Sequence, residues 1–332
     1  MRVGVAGVGR IGRGHAERLM RNSDVSEVLI TDSDMSRAGE IGHELGVRIV
    51  PTVDGLLAAV DAIVIAASTT AHAELLIAAI QARTPAFCEK PISHDLAISR
   101  EVAQLADARK VPIQMGFQRR FDPGYRAAAT LVKAGGLGTL YAIRTAGHDP
   151  QPPWEAYIAH SGGLFRDFGV HDFDALRFVT GQEIVEVYAC GAVRQFPIFR
   201  KYDDVDTAVA TLTLSDGPLA LMSLTRHNPR GYDIRMELIG SRDNVAVGWD
   251  ACTPLRSLEP GAATQADVSH PKDFSVRFRD AYAAELTAFL DVARGRKESP
   301  CTVDDAIEAL RVAEACERSR RRHRPVALSE IE

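Results

Sequence analysis

Five short apolar runs, separated by helical patterns, occupy the first third of this 332-residue chain. The runs are VGVAG (3–7), VLITD (28–32), AIVIAA (62–67), PAFCE (85–89) and PIQMG (112–116), and each has the length and composition of a buried strand. Between them, segments such as HAELLIAAIQAR carry apolar residues at intervals of three and four, as helices do. This alternation predicts an α/β domain with a parallel sheet and helices on both faces.

The pattern changes after about residue 120 to closely spaced runs in which polar and apolar residues alternate. Examples are TLYAIRTAG, DTAVATLTLSDG and YDIRMELIGS, and SDGP at 215–218 has the composition of a hairpin turn. Helices are predicted near 123–134, 167–180, 276–294 and 303–320. The second part is therefore predicted to be an α+β domain with a large, mainly antiparallel open sheet.

Charge and composition exclude several classes of protein. The net charge of −5 argues against nucleic-acid binding and gives no support for a membrane-surface role. The basic tail RSRRRHR (318–324) is either a nucleic-acid arm or the cationic end of a helix, and we favour the helix end. We expect neither nucleic acid nor membrane as a partner.

Cysteine usage and the N-terminal residues bear on location. The five cysteines are scattered and show no CxxC spacing, which predicts reduced thiols, no disulfide framework and no metal site. No apolar run approaches membrane-spanning length, and the first strand and glycine loop leave no room for a signal peptide. The sequence therefore predicts a cytoplasmic protein.

The segment GVAGVGRIGRGH carries Gly7, Gly9 and Gly12 in G-x-G-x-x-G spacing, between the first predicted strand and helix. Such glycines allow a tight turn, close approach of a pyrophosphate and close packing of the helix on the strand. Asp32 follows Gly12 by 20 residues, where a carboxylate accepts hydrogen bonds from adenosine ribose hydroxyls. We predict a Rossmann domain that binds NAD, although Arg37 nearby leaves NADP as an alternative, and Asp32 could instead be a turn or cap residue.

A later segment, RDFGVHDFD (166–174), places acids and a histidine among bulky apolar residues. In an α-helix, Asp167, His171 and Asp174 stand at i, i+4 and i+7 and share one face, while Asp172 lies off it. The row predicts a helix that presents these groups either to a ligand or to salt bridges within the protein.

FCEKPIS (87–93) puts a lysine before a proline at the end of a predicted strand, which by itself is typical of a surface loop. Together with the glycine loop and the Asp167/His171 row, it resembles the glucose–fructose oxidoreductase / inositol dehydrogenase / MocA (Gfo/Idh/MocA) oxidoreductase family. MGFQRRFDP (115–123) looks like the family's domain crossover, and GGLFRDFGVHDFD (162–174) looks like its substrate-site helix. The resemblance runs nearly end to end and includes the closing helix SPCTVDDAIEALRVAEACERS.

The resemblance implies roles for the matching residues. Lys90 of the E-K-P motif and Asp167 and His171 of the D-x-x-x-H helix are the implied catalytic residues. Glu89 would contact the nicotinamide-side ribose, and the peptide before Pro91 is often cis in the family.

Asp174 matches an aspartate that binds substrate hydroxyls in inositol dehydrogenases, whereas Asp172 has no such counterpart. Further substrate-site candidates are His148, Trp154, Tyr232 and Tyr282, with Asp149, His227 and Asn228 nearby. The alternative for this set is a proline-broken surface loop and aromatic residues that serve packing. Arg119 and Arg120 are expected to support the crossover.

The full set of cofactor-binding candidates combines the glycine loop and Asp32 with residues that the resemblance adds. It consists of Gly7, Gly9, Arg10, Ile11, Gly12, Asp32, Ser68, Thr69, His72, Glu89, Lys90 and Gln118. The implied domains are a dinucleotide-binding Rossmann domain (1–120), a substrate and oligomerisation domain (121–300), and a C-terminal helix and tail (301–332) that packs back on the body.

These residue types suit the oxidation of a secondary alcohol, in which the hydroxyl proton must leave along with the hydride. A histidine, with an ordinary pKa near 6.5, can accept that proton around neutral pH. A neighbouring carboxylate can orient the imidazole, and an ammonium group can stabilise developing alkoxide charge. Whether His171 or Lys90 is the immediate base is left open.

The resemblance therefore predicts a NAD-dependent dehydrogenase of a cyclic polyol, with myo-inositol oxidised to 2-keto-myo-inositol as the leading case. A pyranose sugar or an inosose is the alternative substrate, and a dinucleotide-binding regulator without turnover is the alternative class. The open sheet is expected to leave one face uncovered, which predicts a homo-oligomer, a tetramer by resemblance.

Overall fold

The computed structural model describes residues 1–260 and 269–332, and the chain divides into two compact units. The first unit comprises Met1–Gln118 and Asp280–Glu308, and the second comprises Arg119–Arg279 and Ala309–Glu332. The division predicted from sequence differs from this one at the C-terminal end, because residues 280–308 group with the first unit. The functions assigned to the predicted segments stay predictions.

Elements are numbered in chain order. The strands of the first unit are β1 (Arg2–Ala6), β2 (Glu27–Thr31), β3 (Arg48–Ile49), β4 (Ala62–Ile65), β5 (Ala86–Glu89) and β6 (Ile113–Gly116). The helices between them are α1 (Arg10–Met20), α2 (Met35–Leu45), α3 (Val53–Ala59), α4 (Thr69–Gln81) and α5 (Leu96–Arg109).

The later elements belong mainly to the second unit. Its strands are β7 (Leu140–His148), β8 (Ile184–Ala192), β9 (Thr207–Leu214), β10 (Leu219–Thr225), β11 (Asp233–Gly240), β12 (Asn244–Val247) and β13 (Val326–Ala327). The remaining helices are α6 (Pro123–Lys133), α7 (Glu155–Ile158), α8 (Val170–Thr180), α9 (Phe274–Arg277), α10 (Arg279–Ala293) and α11 (Val303–Arg322).

The sheet of the first unit is parallel throughout, in the order β3-β2-β1-β4-β5-β6. This is the strand order of the doubly wound dinucleotide fold. Strands such as β4 and β5 are buried along their whole length, which is why their sequences read as unbroken apolar runs. The predicted parallel sheet is confirmed, and only the two-residue β3 was not predicted.

Helix α10 completes the core of the first unit. Its residues Leu286, Phe289 and Leu290 are buried in one cluster with residues of the parallel sheet, including Val64 and Phe87. The rings of Phe87 and Phe289 lie 5.8 Å apart. The apolar stripe of α10 therefore belongs with a sheet that precedes it by more than 160 residues.

The sheet of the second unit has the order β12-β11-β7-β10-β9-β8-β13. β7 and β10 pair in parallel, and the other neighbours pair antiparallel. The turn predicted at 215–218 joins β9 to β10, with Gly217 at φ +99° and the Leu214 N–H donating to the Pro218 carbonyl at 3.0 Å. The mainly antiparallel sheet is confirmed.

Alternate residues of this sheet point to a buried and an open face. In β9, Ala208, Ala210 and Leu212 are buried, whereas Val209 is about half exposed. Leu219 and Leu221 of β10 are also about half exposed on that open face. Among the residues that the structure describes, this mainly antiparallel sheet therefore has one partly exposed apolar face, as the sequence predicted.

Within the two described ranges, none of the helices combines the length and the apolar character needed to cross a bilayer.

Candidate active site

The glycine loop lies between β1 and α1, where the sequence predicted it. Gly7 has φ +88°, and a Cβ added there would lie 2.5 Å from the backbone of Ala67. A Cβ on Gly12 would lie 1.8 Å from the Gly7 carbonyl oxygen. Only glycine fits these two positions. The loop therefore packs tightly against the start of α1. The N-cap of this helix is Gly9, which has no side chain to accept from the first N–H groups, so they can bind a phosphate.

Asp32 lies immediately after β2 and holds this loop in place. Its Oδ2 accepts from the Val8 N–H at 2.8 Å, and its Oδ1 accepts from the Asp34 N–H at 2.9 Å. The helix cap is Asp34, which accepts from the first turn of α2. Each carboxylate oxygen of Asp32 retains accepting capacity for ribose hydroxyls. The Arg37 guanidinium donates to Asp34 at 3.0 Å, and the Asp32 charge favours NAD over a 2′-phosphate.

The remaining cofactor candidates lie at the carboxyl edge of the same parallel sheet or beside it. Arg10 and Ile11 open α1, and Ser68 and Thr69 stand at the start of α4. His72 is buried, with its ring nitrogens 2.7 Å from the Pro91 carbonyl and 3.0 Å from the Ala67 carbonyl. These contacts hold His72 at the carboxyl ends of the strands, where ligands of such sheets bind. Gln118 is buried and opens a short 3₁₀ turn, Gln118–Phe121.

The E-K-P motif lies at the end of β5. Glu89 is buried, and its Oε1 lies 2.8 Å from Nε2 of His15 in α1. Lys90 is half-buried, and the Lys90–Pro91 peptide is cis, as the resemblance implied. The strand thus carries its acid inward and its lysine to the carboxyl edge of the sheet.

The D-x-x-x-H segment begins differently from the prediction. Residues Phe165–Gly169 form a π-helical turn, and regular α-helix starts only at Val170. The expectation of a single α-helix over 167–180 is therefore wrong for its first turn, because a π turn changes the phase between Asp167 and the residues of α8. Such turns are frequent at functional sites. Asp167 is buried, and His171 is half-buried.

Asp167 is held by two residues that the sequence analysis did not single out. Its Oδ2 accepts from Nη2 of Arg226 at 2.8 Å, and its Oδ1 accepts from the Tyr157 hydroxyl at 2.7 Å. Arg226 also donates to Asp149 at 3.2 Å. Burial opposes the charged guanidinium, but the two carboxylates raise the pKa of Arg226. The signal in sequence was an arginine directly after an apolar strand, which is common and therefore weak.

The other acids of the helix are paired inside the second unit. Asp174 is fully buried and accepts from Nε and Nη2 of Arg120 at 2.6–3.0 Å. Asp172 is fully buried beside Arg119, with 2.9 Å between the charged atoms. The alternative of internal salt bridges therefore describes these two acids. Contact of Asp174 with substrate hydroxyls stays a prediction, and its carboxylate already binds Arg120.

The remaining substrate-site candidates lie in different surroundings. His148 ends β7, with Nε2 3.1 Å from Ser223 Oγ and Nδ1 3.4 Å from Asp233. Trp154 is exposed, and its ring lies 5.4 Å from that of Tyr157. These positions leave both side chains accessible to a ligand.

Tyr232 and Tyr282 are mostly buried. The Tyr232 ring packs on Phe278 at 6.4 Å, and burial raises its pKa. Tyr282 belongs to α10 of the first unit, where its ring lies 5.9 Å from His15 and beneath the Arg18 guanidinium at 5.0 Å. Both rings take part in packing, and their substrate role stays a prediction.

Comparison with known proteins places both halves of the chain. Residues 1–117 match the model "Oxidoreductase family, NAD-binding Rossmann fold", and residues 129–328 match "Oxidoreductase family, C-terminal alpha/beta domain". Both models are those of the Gfo/Idh/MocA family.

Similar proteins match over nearly the whole chain. The myo-inositol dehydrogenase Hyg17 of Streptomyces leeuwenhoekii is 38% identical, over 96% of this chain and 97% of that protein. A crystal structure of a myo-inositol dehydrogenase from Corynebacterium glutamicum has a TM-score of 0.89 at 33% identity, covering 99% and 98% of the two chains. A scyllo-inositol dehydrogenase from Lactobacillus casei, solved with NAD(H) and scyllo-inositol, has a TM-score of 0.88 at 26% identity, covering 99% of each chain. The chain belongs to the Gfo/Idh/MocA family of NAD-binding oxidoreductases.

Proposed function

We propose that this protein is a NAD-dependent dehydrogenase that oxidises a secondary alcohol of a cyclic polyol, with myo-inositol converted to 2-keto-myo-inositol as the first candidate reaction. The observation that carries the proposal is the full-length similarity to proteins named as myo-inositol dehydrogenases. The retention of Lys90, Asp167 and His171 in their motifs supports it.

The residues divide the work of alcohol oxidation. NAD, when bound, supplies the hydride acceptor. His171 accepts the hydroxyl proton, for which an imidazole is suited near neutral pH. Lys90 places an ammonium group where alkoxide charge develops and lowers the free energy of that state. Lys90 as the immediate base, with His171 orienting the hydroxyl, is the other order of proton transfer.

Asp167 orients the histidine side of the site. Arg226 and Tyr157 occupy one lone pair on each of its oxygens, so the carboxylate has a fixed direction. A fixed carboxylate also favours the protonated imidazole that forms after proton transfer. We infer that this carboxylate is the group that orients His171 when it accepts the proton.

The ligand proposed for this site is rich in hydroxyl groups. His148, Asp149 and Trp154 are half-buried or exposed, and they offer hydrogen-bonding groups and an apolar ring surface. Sites built to pair substrate hydroxyls reject analogues that lack them, because their polar groups are then left unpaired. A polyol fits this chemistry better than a simple alcohol does.

A substrate panel tests the proposal. The protein is incubated with NAD or NADP and with myo-inositol, scyllo-inositol, aldoses and other polyols, and reduced cofactor is followed at its absorbance maximum. We expect turnover on an inositol with NAD preferred. Turnover on aldoses alone would make a sugar, and not an inositol, the substrate. NAD binding without any turnover would favour a dinucleotide-binding regulator.

We also propose that the protein is a cytoplasmic homo-oligomer, with a tetramer as the first candidate. The free state of its five cysteines suits a reducing compartment. The open sheet face exposes Tyr188, Val209, Leu219 and Leu221, which form an apolar surface of the kind that subunits cover. Light scattering measures the assembly state of the purified protein and of a Leu221→Lys variant, which should dissociate. A monomeric wild type would exclude the homo-oligomer.

A further inference from the structure

Three titratable side chains meet in the interior of the first unit: His15 of α1, Glu89 at the end of β5 and Glu285 of α10. One ligand atom from each lies within 4.8 Å of the others, and all three residues are buried. His15 and Glu89 are joined at 2.8 Å. Neither carboxyl oxygen of Glu285 has a hydrogen-bond partner among the described residues. A buried carboxylate in that condition is strongly disfavoured, so the state of Glu285 needs an explanation.

The surroundings of Glu285 favour its neutral form. Burial, which is the larger cause, and the neighbouring Glu89 charge together raise the pKa of Glu285 well above its usual range. Arg18 of α1 acts in the opposite direction and does not outweigh them. On α10 itself, the ring of Tyr282 lies against His15 and Arg18. From β6, the uncharged Gln114 donates from its side-chain amide to the backbone carbonyl of Glu285 at 2.8 Å. A buried carboxyl group without a hydrogen-bond partner in the described part of the chain, beside a second carboxylate, therefore favours its protonated form.

The cluster connects two parts of the cofactor site. His15 lies one turn into α1, the helix that starts at the glycine loop. Glu89 is the last residue of β5, and Lys90 follows it at the carboxyl edge where ligands bind. The His15–Glu89 bond thus ties the helix that faces the phosphates to the strand end that carries the lysine.

We propose that Glu285 is a positioning residue of the dehydrogenase site: buried beside the His15–Glu89 pair, it keeps Glu89 in place and so fixes the strand end that presents Lys90. This proposal rests on the proposed function. In its protonated form the acid offers a hydrogen-bond donor beside Glu89, since ligand atoms of the two carboxyl groups lie within 4.8 Å of each other. An ionised Glu285 would instead repel the Glu89 carboxylate and loosen the strand end.

The test compares Glu285→Gln, a neutral residue that keeps a donor, with Glu285→Leu, a neutral residue that has none. The matched control is Leu290→Val, a loss of packing in the same buried helix. The NAD dissociation constant is measured by titration calorimetry from pH 6 to pH 9, and kcat and the KM for NAD are measured on the best polyol. Divalent metal is titrated into the protein as a separate arm.

We expect NAD binding by the wild type to weaken as pH rises and Glu285 ionises. Glu285→Gln should keep the NAD affinity of the wild type at neutral pH and should not weaken in this way. Glu285→Leu should bind NAD about tenfold more weakly, because it leaves Glu89 without a polar neighbour from α10 and so loosens the strand end. Leu290→Val should be less stable and should bind NAD normally.

Three results would overturn the proposal. Glu285→Leu could match the wild type, which would make Glu285 a space-filling residue. Glu285→Gln could be as impaired as Glu285→Leu, which would mean that the charge is needed, and tight metal binding in the metal arm would then identify a cation site. The wild type and Glu285→Gln could also share one pH profile. Failure of the proposed function has a different signature, since NAD binding is measured without any polyol.

Discussion

The buried ion pair between Arg119 and Asp172 provides the sharpest prediction about stability. Their side chains are 1% and 0% exposed, and 2.9 Å separates the charged atoms. At that distance the attraction is about 6 kcal/mol for an effective dielectric constant of about 20. Desolvation of both ions offsets much of it, but removal of one partner leaves the other buried and uncompensated. Asp172→Asn should therefore lower the free energy of unfolding by about 3–5 kcal/mol.

The assay is urea denaturation followed by tryptophan fluorescence, because both tryptophans, Trp154 and Trp249, lie in the second unit. Asp203→Asn is the matched control, since Asp203 pairs with Arg321 in solvent and its positive φ suits asparagine. Asp203→Asn should lower the free energy of unfolding far less, because an exposed ion pair contributes little. Replacement of both buried partners by apolar residues should recover most of the stability. The reasoning is refuted if Asp172→Asn behaves like the control, or if the double replacement is as damaging as the single one.

Four further predictions concern the site and its pH dependence. Lys90→Ala or His171→Ala should abolish turnover and leave the NAD dissociation constant nearly unchanged; weak NAD binding with normal turnover would contradict their roles. Asp32→Ala should weaken NAD binding and reduce the preference against NADP, as the ratio of the two dissociation constants measures. Arg226→Met should lower kcat more than it changes the KM for NAD, since it frees the Asp167 carboxylate in the second unit. Burial and the neighbouring Glu89 charge raise the folded-state pKa of Glu285 above its unfolded value, so the stability that this residue contributes is present at low pH and is lost as pH rises towards the folded pKa. Relative to Glu285→Gln, the wild type should therefore lose stability with rising pH, which calorimetry over a pH series measures.

Most of the fold could be predicted from local sequence, because the spacing of apolar residues identifies the helices and strands and the turn residues mark their ends. The buried parallel strands read as apolar runs, and the glycine loop, the SDGP turn and the alternating strands of the second sheet lie where they were predicted. The partner of α10 could not be predicted. Its apolar stripe is equally compatible with either sheet, and nothing local in the sequence of Leu286 or Phe289 specifies Phe87 as the neighbour.

The site could be predicted only as far as its motifs extend. Gly7, Gly12 and Asp32 were found because each has a fixed position relative to a strand. The π turn at Phe165–Gly169 could not be predicted, since the same residues are compatible with α-helix. Arg226 was missed because the partner of Asp167 lies 59 residues away, on a different element.

Residues 280–308 belong to the first unit, and this affects the choice of a fragment for studying NAD binding in isolation. A gene fragment that stops near Gln118 would encode every strand of the parallel sheet and would still lack the side chains of Leu286, Phe289 and Leu290 that cover it. The product would expose an apolar surface and should aggregate. A cofactor-binding fragment of this protein has to be spliced from two stretches of the chain, with a designed linker in place of everything between them.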